Sequence, residues 1–436
     1  MLAAACAPLD RDDMSDTDPI AAPDTDVAVD TDAPADTDAL VAPGPYRPFP
    51  QRLIYPGAAL RVSGSQGALD QAVRDAYDRW KTSYLTDAPT RPDGTARLRV
   101  RMSNKPGAPT VSEGQGYGVV IVTLMAGHDP DAQAIVDGLL AYFDDHRSHI
   151  DARLMDWKVP ADEAPSPDDD DSAFDGDADL AYGLLLADAQ WGSRGAVDYH
   201  AKALDLLEGI LRSEVGPDSH LPMLGDWVDP VGEDFNQWTT RSSDWMPEHF
   251  RAFAAATGDD AWLDVADATL DLATVMQRDF APSTGLLPDF IVGTEADPMP
   301  ATPGLLEDVT DGQYGYNAGR VPWRLGFDAL VNEDPRAVAA VAAMSAWIDD
   351  ATLGDPDEIA PGYDLSGVPV EPRLAWTSFF AAPFAVAAII DATQQAWLNA
   401  LYGSVADTHE GYYEDSVTLQ CLLVVSGNAW TPDVSP

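Results

Sequence analysis

Carboxylate and aromatic side chains occur together in six short segments, which we interpret as loops. This combination is typical of a cleft that binds sugars, because aromatic rings stack on pyranose faces while carboxylates bind hydroxyl groups and transfer protons. One segment alone proves little, since an aromatic at helical spacing usually packs in a core and an Asp before a helix usually caps it. The occurrence of six such segments favours a sugar-binding cleft over separate structural roles. The segments are SEGQGYG (112–118), DWKVP (156–160), FDGDADLAYG (174–183), GDWVDP (225–230), LLEDVTDGQYGYNAGRVPWR (305–324) and GYYEDS (411–416).

Four aromatic residues are candidates for stacking on sugar rings: Trp157, Trp227, Trp245 and Tyr316. A position in the hydrophobic core explains each of them equally well. No metal site is predicted, because the seven His residues show no spacing such as H-E-x-x-H. The acidic run at 168–171 is better explained as a solvated loop than as a cation site.

Most of the chain after Pro50 shows helical periodicity, and strand-like alternation is clear only at RLRVRM (97–102). Leu69, Val73, Tyr77, Trp80 and Tyr84 share one helical face. Paired helices without a domain-scale linker indicate one closed helical toroid or a solenoid, which periodicity alone does not distinguish. Helices are also predicted at 180–191 and near 131–146, 197–213, 246–256, 260–277, 319–331, 335–348, 376–402 and 414–425.

The composition is strongly acidic, with 25 Lys and Arg against 73 Asp and Glu in 436 residues and a net charge of −48. Such a chain is repelled by phosphate backbones and anionic lipids, which argues against nucleic acid and membrane surfaces as partners. A heavily solvated surface explains the charge, and attraction of a cationic polymer is the alternative. With 45% hydrophobic residues, the chain must bury a large core.

The first 45 residues differ from the rest, with repeated Asp-Thr pairs among Ala and Pro and no aromatic residue before Tyr46. We predict a disordered acidic linker over 1–45 and one catalytic domain over 46–436. Cys6 follows LAAA, as at the end of a lipoprotein signal, although a basic start and an apolar core are absent. We therefore expect a secreted or cell-surface protein without a membrane-spanning segment. Cys6 and Cys421, the two cysteines, predict no disulfide framework.

Four segments, in their order and approximate spacing, carry a resemblance to a known family: SEGQGYG, SAFDGDADLAYGLLLADAQWG (172–192), YNAGRVPWR (316–324) and LVVSGNAWTP (423–432). Together with DWMPEHFRAFAAATGDDAW (244–262), they resemble glycoside hydrolase family 8 over about residues 50–436. The resemblance implies an all-α fold, a single (α/α)6 barrel. It also implies endo-acting, inverting hydrolysis of β-1,4-linked polysaccharides such as cellulose, xylan, chitosan or lichenan.

The resemblance implies roles for three acidic residues. Glu113 matches the general acid of the family, which must be protonated to donate to the leaving oxygen, and an aromatic, desolvating setting would raise its pKa. Asp175 matches the carboxylate that grips and distorts the sugar at the cleavage point. Asp177 is a weaker candidate for binding substrate, because an acid in the first turn of a helix is also explained by helix initiation.

The base is the point at which the sequence departs from the best-known pattern of the family. Many members have an Asp at the position of Asn317, and an amide cannot accept a proton from water at neutral pH. A second branch of the family has Asn there and takes its base from a Glu in the preceding loop. Glu307 matches that Glu, with Asp308 and Asp311 as rivals. An inverting pair needs ~6.5–9.5 Å between its carboxyl groups.

Two arginines flank Pro322–Trp323 at the start of a predicted helix. Arg320 and Arg324 are expected either to hold the Asn317 segment or a catalytic carboxylate, or to form structural salt bridges. His249, beside Glu248, is interpreted as a surface residue rather than a ligand.

We therefore predict a monomeric glycoside hydrolase that acts on a polysaccharide and needs no cofactor. The Asn317 branch includes chitosanases and lichenases, so β-glucan and chitosan both remain open as substrates, with xylan behind them. The main rival is a polysaccharide-binding protein that kept the cleft and lost its base. A polysaccharide lyase is disfavoured, because a chain of this charge is badly suited to anionic polymers.

Overall fold

Twelve helices of two kinds alternate along the part of the chain that the structure describes. The odd-numbered helices have one buried and one exposed face, whereas the even-numbered helices are buried around most of their circumference. The even set therefore forms an inner layer. The helices are α1 (Gln66–Tyr84), α2 (Ser112–Leu124), α3 (Ala132–Asp145), α4 (Phe174–Trp191), α5 (Tyr199–Ser213), α6 (Pro247–Thr257), α7 (Ala261–Phe280), α8 (Val321–Asn332), α9 (Pro335–Ala351), α10 (Ser378–Ala388), α11 (Gln395–Val405) and α12 (Tyr412–Val425).

The structure is a computed structural model that describes residues 45–164 and 171–432. The described residues all belong to one compact unit, Ala42–Pro436. The predicted linker up to residue 44, Cys6 and most of the acidic run at 168–171 lie outside the described residues.

The even-numbered helices form a closed ring, in which each packs on the next and α12 packs on α2. The odd-numbered helices pack outside this ring: α1 on α12, α3 on α2, α5 on α4, α7 on α6, α9 on α8 and α11 on α10. The architecture is therefore an (α/α)6 barrel. The predicted fold class is confirmed, and of the two alternatives left open by periodicity the chain adopts the closed toroid.

Short antiparallel strands join some of the helices. β1 (Leu85–Ala88) pairs with β2 (Arg97–Val100), which lies in the predicted strand, and β3 (Thr110–Val111) pairs with β4 (Lys158–Val159). β5 (Thr240–Arg241), β6 (Phe290–Val292) and β7 (Met299–Pro300) form a three-stranded sheet. β3 leads directly into α2, so this pairing fixes the backbone immediately before Glu113.

The prediction that SEGQGYG and FDGDADLAYG are loops is wrong, because these segments form the starts of α2 and α4, and most of GYYEDS lies in α12. The glycines of SEGQGYG would weaken an exposed helix, but here Gly116 lets α2 and α4 approach closely. A Cβ on Gly116 would lie 2.8 Å from the backbone oxygen of Gly176 in α4. The close approach of α2 and α4 brings their N-terminal turns, and with them Glu113 and Asp175, side by side.

The predicted helix at 376–402 is interrupted between α10 and α11. At this break Asp391 accepts hydrogen bonds from the backbone N–H and the hydroxyl group of Thr393, a local turn that competes with helix continuation. Across residues 45–164 and 171–432, every helix is too short or too polar to cross a membrane.

Candidate active site

A cleft of about 640 Å³ opens at one end of the barrel. It brings together residues from three distant parts of the sequence: Glu113, Asp175, and the segment that holds Glu307, Asn317 and Arg320. Glu113 and Asp175 lie in the first turns of α2 and α4, where the helix dipole favours negative charge. Other residues that line the cleft are Tyr84, Lys105, Trp157, Arg241, Tyr316, Glu410, Tyr412, Tyr413 and Glu414.

Glu113 is mostly buried, with 16% of its side chain exposed. Desolvation by burial and the negative charge of Asp175 raise its pKa to about 7, against the opposing effect of Arg320. Its Oε1 accepts a hydrogen bond from the hydroxyl of Tyr412 at 3.1 Å, and its Oε2 accepts one from Arg320 at 2.9 Å. Near neutral pH, Glu113 is therefore a carboxyl group that can donate a proton.

Asp175 lies beside Glu113 but has the opposite ionisation behaviour. Burial alone would raise its pKa, but the guanidinium groups of Arg241 and Arg320 outweigh this effect and hold the pKa well below its usual range. Arg320 Nη1 donates to Asp175 Oδ2 at 2.8 Å, and Arg241 Nη2 lies 3.1 Å from Oδ1. The cleft thus contains one carboxyl group that ionises only near neutral pH and one that stays ionised.

Arg320 connects both acids to the other side of the cleft. It is almost fully buried, at the start of α8, and its Nη2 donates to Asn317 Oδ1 at 3.2 Å. Asn317 Nδ2 in turn donates to Glu307 Oε2 at 2.8 Å. Three hydrogen bonds therefore join Glu113 to Glu307 through Arg320 and Asn317.

The loop that carries Glu307 is organised by one buried carboxylate. Asp311 accepts hydrogen bonds from the backbone N–H groups of Leu306 at 2.8 Å, Glu307 at 3.1 Å and Asp308 at 2.8 Å. Glu307 lines the cleft, with 44% of its side chain exposed. Asp311 is occupied by the loop backbone, and Asp308 is exposed away from the residues that line the cleft. Of the three candidates for the base, only Glu307 faces the cleft.

The residues Glu113, Asp175 and Arg320 rest on a second polar layer. The residue four positions later on each of their helices is Tyr117, Asp179 or Arg324, and a spacing of four places both residues on one helical face. Arg324 donates to both oxygens of Asp179, at 2.9 and 2.5 Å, and Tyr117 contacts both arginines. All three side chains of this second layer are buried, so they are shielded from solvent.

The comparisons with known proteins agree with the fold. A family model described as glycosyl hydrolases family 8 matches residues 48–427. The chain belongs to glycoside hydrolase family 8. It is a glycoside hydrolase, as the resemblance implied.

Relatives within family 8 match most of this chain. A β-glucanase of Niallia circulans is 38% identical over 89% of this chain and 92% of its own length. An endoglucanase of Bacillus sp. strain KSM-330 is 37% identical over 88% of this chain and 82% of its own length. The apo structure of a β-1,3-1,4-glucanase from Paenibacillus sp. X4 matches with a TM-score of 0.84 and 39% identity, over 89% of this chain and 100% of that one.

In this family 8 enzyme, the predicted aromatic platforms divide into two groups. Trp157 and Tyr316 line the cleft, and 38% of Tyr316 is exposed. Trp245 is fully buried in the core, where its Nε1 donates to Thr240, so it has no free face for a sugar ring. Trp227 packs edge-on against Phe235 in a small separate apolar cluster and does not line the cleft.

Asp177 and His249 lie in environments that differ from those predicted. Asp177 is fully buried behind the cleft, where its Oδ1 accepts a hydrogen bond from the backbone N–H of Met155, so it does not reach a sugar in the cleft. His249 is not a surface residue. It is buried, stacks on Tyr182 and lies 3.0 Å from Asp179, because α6 belongs to the inner ring.

Sequence reasoning gave no individual role to three residues that the structure places at the site. Tyr412 contacts Glu113, and its segment GYYEDS shows in sequence only an acidic and aromatic composition. Asp289 accepts hydrogen bonds from the backbone N–H groups of Gly315 and Ala318 on either side of Asn317. Arg241 lies in β5 and contacts Asp175 and Glu307, and it belongs to none of the sequence motifs described above. The described residues contain no cluster of ligands suited to a metal ion.

Proposed function

We propose that this family 8 enzyme is an endo-acting, inverting β-glucanase with Glu113 as its general acid and Glu307 as its base. One observation carries the proposal. Glu113 and Glu307 face the same cleft from two sides and are linked through Arg320 and Asn317. Their environments differ in the way that an acid and a base require.

The acid acts by proton donation. With a pKa of about 7, Glu113 is largely protonated below neutral pH. Its proton passes to the oxygen of the leaving sugar while the glycosidic bond breaks. Among the carboxyl groups that line the cleft, only Glu113 lies beside Asp175 and has a pKa raised to about 7. Glu113 is therefore the proton donor in this proposal.

The base acts on the opposite face of the sugar. Glu307 is exposed enough to meet water, and its Oε2 is oriented by the amide of Asn317. In the proposed step, Glu307 takes a proton from the attacking water, whose oxygen forms the new bond to the anomeric carbon. The product then has the α configuration, because attack and departure occur on opposite faces.

Asp175 supplies charge rather than a proton. Held ionised by Arg241 and Arg320, it is suited to accept hydrogen bonds from hydroxyl groups of the distorted sugar and to stabilise the positive charge that develops on its ring. Trp157 and Tyr316 supply aromatic surface along the same cleft for neighbouring sugars.

For the substrate, we propose a β-glucan, and mixed-linkage β-1,3-1,4-glucan first. The support comes from the names of the relatives that cover nearly the whole chain, a β-glucanase, an endoglucanase and a β-1,3-1,4-glucanase. Chitosan, the other substrate left open by the sequence, has the support that Glu410 and Glu414 line the cleft.

The test is to incubate the protein with mixed-linkage β-glucan, carboxymethyl cellulose, chitosan and xylan and to measure the new reducing ends. The viscosity of each solution distinguishes endo from exo cleavage. We expect the highest rate on mixed-linkage glucan, an early fall in viscosity, and the α anomer as the first product in proton NMR. Activity on chitosan alone would overturn the substrate assignment. Binding without turnover of any polymer would identify a binding protein that lost its base.

A further inference from the structure

We propose that Arg241 is a positioning residue for the reaction, which holds the loop carboxylate of Glu307 in register with Asp175. This inference rests on the proposed function, in which Glu307 is the base. It adds a second anchor to the one that Asn317 provides. Without contacts of this kind, the side chain of an exposed loop residue would sample many orientations relative to the attacking water and the sugar.

The position of Arg241 between two sides of the cleft is the first observation. Its Nη2 lies 3.1 Å from Asp175 Oδ1, and its Nη1 lies 3.6 Å from Glu307 Oε1. The contact with Asp175 is an ion pair rather than a straight hydrogen bond, since the Nη2 hydrogens do not point along that line. Arg241 is thus the cation that spans the gap between the two acidic groups.

The guanidinium group of Arg241 is itself held firmly. Its Nε donates to both oxygens of Asp244, at 3.0 and 3.1 Å, and Asp244 is fully buried. The backbone of Arg241 is fixed by the pairing of β5 with Phe290 in β6. Only 12% of the Arg241 side chain is exposed, whereas 44% of the Glu307 side chain is. The fixed group therefore positions the freer one.

The two anchors approach different oxygens of Glu307. Asn317 donates to Oε2, and Arg241 lies on the side of Oε1. Contacts at both oxygens define the plane of the carboxylate and not only its place, and misplacement of a reacting group by 1 Å is enough to cost about 100-fold in rate. The expected result of removing Arg241 is therefore a loss in kcat rather than in binding.

A double-mutant cycle tests this inference, with Arg241→Met and Glu307→Gln made alone and together. On β-glucan, we expect Arg241→Met to lower kcat by about 10- to 100-fold, the range of a lost contact with a charged group, with KM within about threefold. In the Glu307→Gln background, the same change should lower kcat at least about threefold less than it does in the unchanged protein, because the loss that comes through the base has already been made and only the contact of Arg241 with Asp175 is left to lose.

Equal losses in both backgrounds would overturn the inference, and so would a loss confined to KM. Because Arg241→Met leaves the buried Asp244 without its arginine partner, the cycle is repeated with Arg241→Lys, which keeps the positive charge but not the planar, bidentate guanidinium group. Melting temperatures of all variants control for folding. If the unchanged protein hydrolyses no polymer, or Glu307→Gln keeps full activity, the proposed function fails. Additive losses with an essential Glu307 would leave that function standing and remove only the role of Arg241.

Discussion

The two sides of the cleft are built in opposite ways. Glu113 lies in the first turn of an inner helix with 16% of its side chain exposed, whereas Glu307 lies on a loop with 44% exposed. An acid that must keep its proton near neutral pH needs desolvation, which the packed barrel supplies. A base that must meet water needs access, which a buried helix cannot give. The two requirements explain why one barrel end combines a rigid side with an open one.

The largest effect is expected on the rigid side. Glu113→Gln should lower kcat on β-glucan about 1,000-fold, within the range for loss of a general acid, and leave KM nearly unchanged, since only proton donation is lost. A substrate with an activated aryl leaving group should recover most of the rate, because its departure needs no proton. Comparable activity of this variant on the polymer would refute the acid assignment.

On the open side, Glu307→Gln should lower kcat about 100- to 1,000-fold, and an activated leaving group should not recover it, because the missing step is activation of water. Asp308→Asn is the matched control, one residue away and outside the cleft lining. It should change kcat less than about twofold. A larger loss in Asp308→Asn than in Glu307→Gln would move the base to Asp308.

A smaller effect is expected from the support of the loop. Asp311→Asn keeps the size of the side chain but replaces one acceptor oxygen by an NH2 donor, so three backbone N–H groups lose part of their bonding. We expect about a tenfold lower kcat and faster amide hydrogen exchange at 305–311. Amides in α2 should exchange at the original rate. Faster exchange in both places would mean that the loop and the barrel open as one unit.

The smallest effect concerns the pH profile. Glu113 must be protonated, so activity should decline as the pH rises through about 7. The hydroxyl of Tyr412 donates to Glu113 and thereby favours its ionised form. Tyr412→Phe should therefore raise the pKa of Glu113 and move the alkaline limb of kcat/KM upward, by less than about one unit. A downward move would show that Tyr412 stabilises the protonated form.

The fold was predictable because its signals are local and repeated. Periodic faces, such as the one from Leu69 to Tyr84, identify helices, and the family motifs supply the closed ring that periodicity leaves open. The errors came where tertiary packing overrides local preference. The glycines of SEGQGYG indicate a loop, yet they are the residues that allow α2 to approach α4.

The site was predictable only where a motif marks its residues. Glu113, Asp175 and Asn317 stand in motifs and share one cleft, although their catalytic roles remain predictions. Trp245 has the same carboxylate neighbours in sequence as a platform would have, but it faces the core. Arg241 carries no local signal, because its contacts arise only when the fold brings β5 near α4 and the loop at 305–311.

The two polar layers of the site, one with Glu113, Asp175 and Arg320 and the other with Tyr117, Asp179 and Arg324, lie one helical turn apart. This spacing limits how the enzyme can change during evolution. Deleting one residue within the first turn of α8 would rotate Arg320 relative to Arg324 by about 100°, so the two layers could no longer be satisfied together. The loop that carries Glu307 keeps a register of its own, because Asp311 must meet the backbone N–H groups of residues 306–308. We therefore expect insertions and deletions to be purged from the starts of α2, α4 and α8 and from 306–311, which a library of single-codon deletions selected for growth on the polymer would reveal.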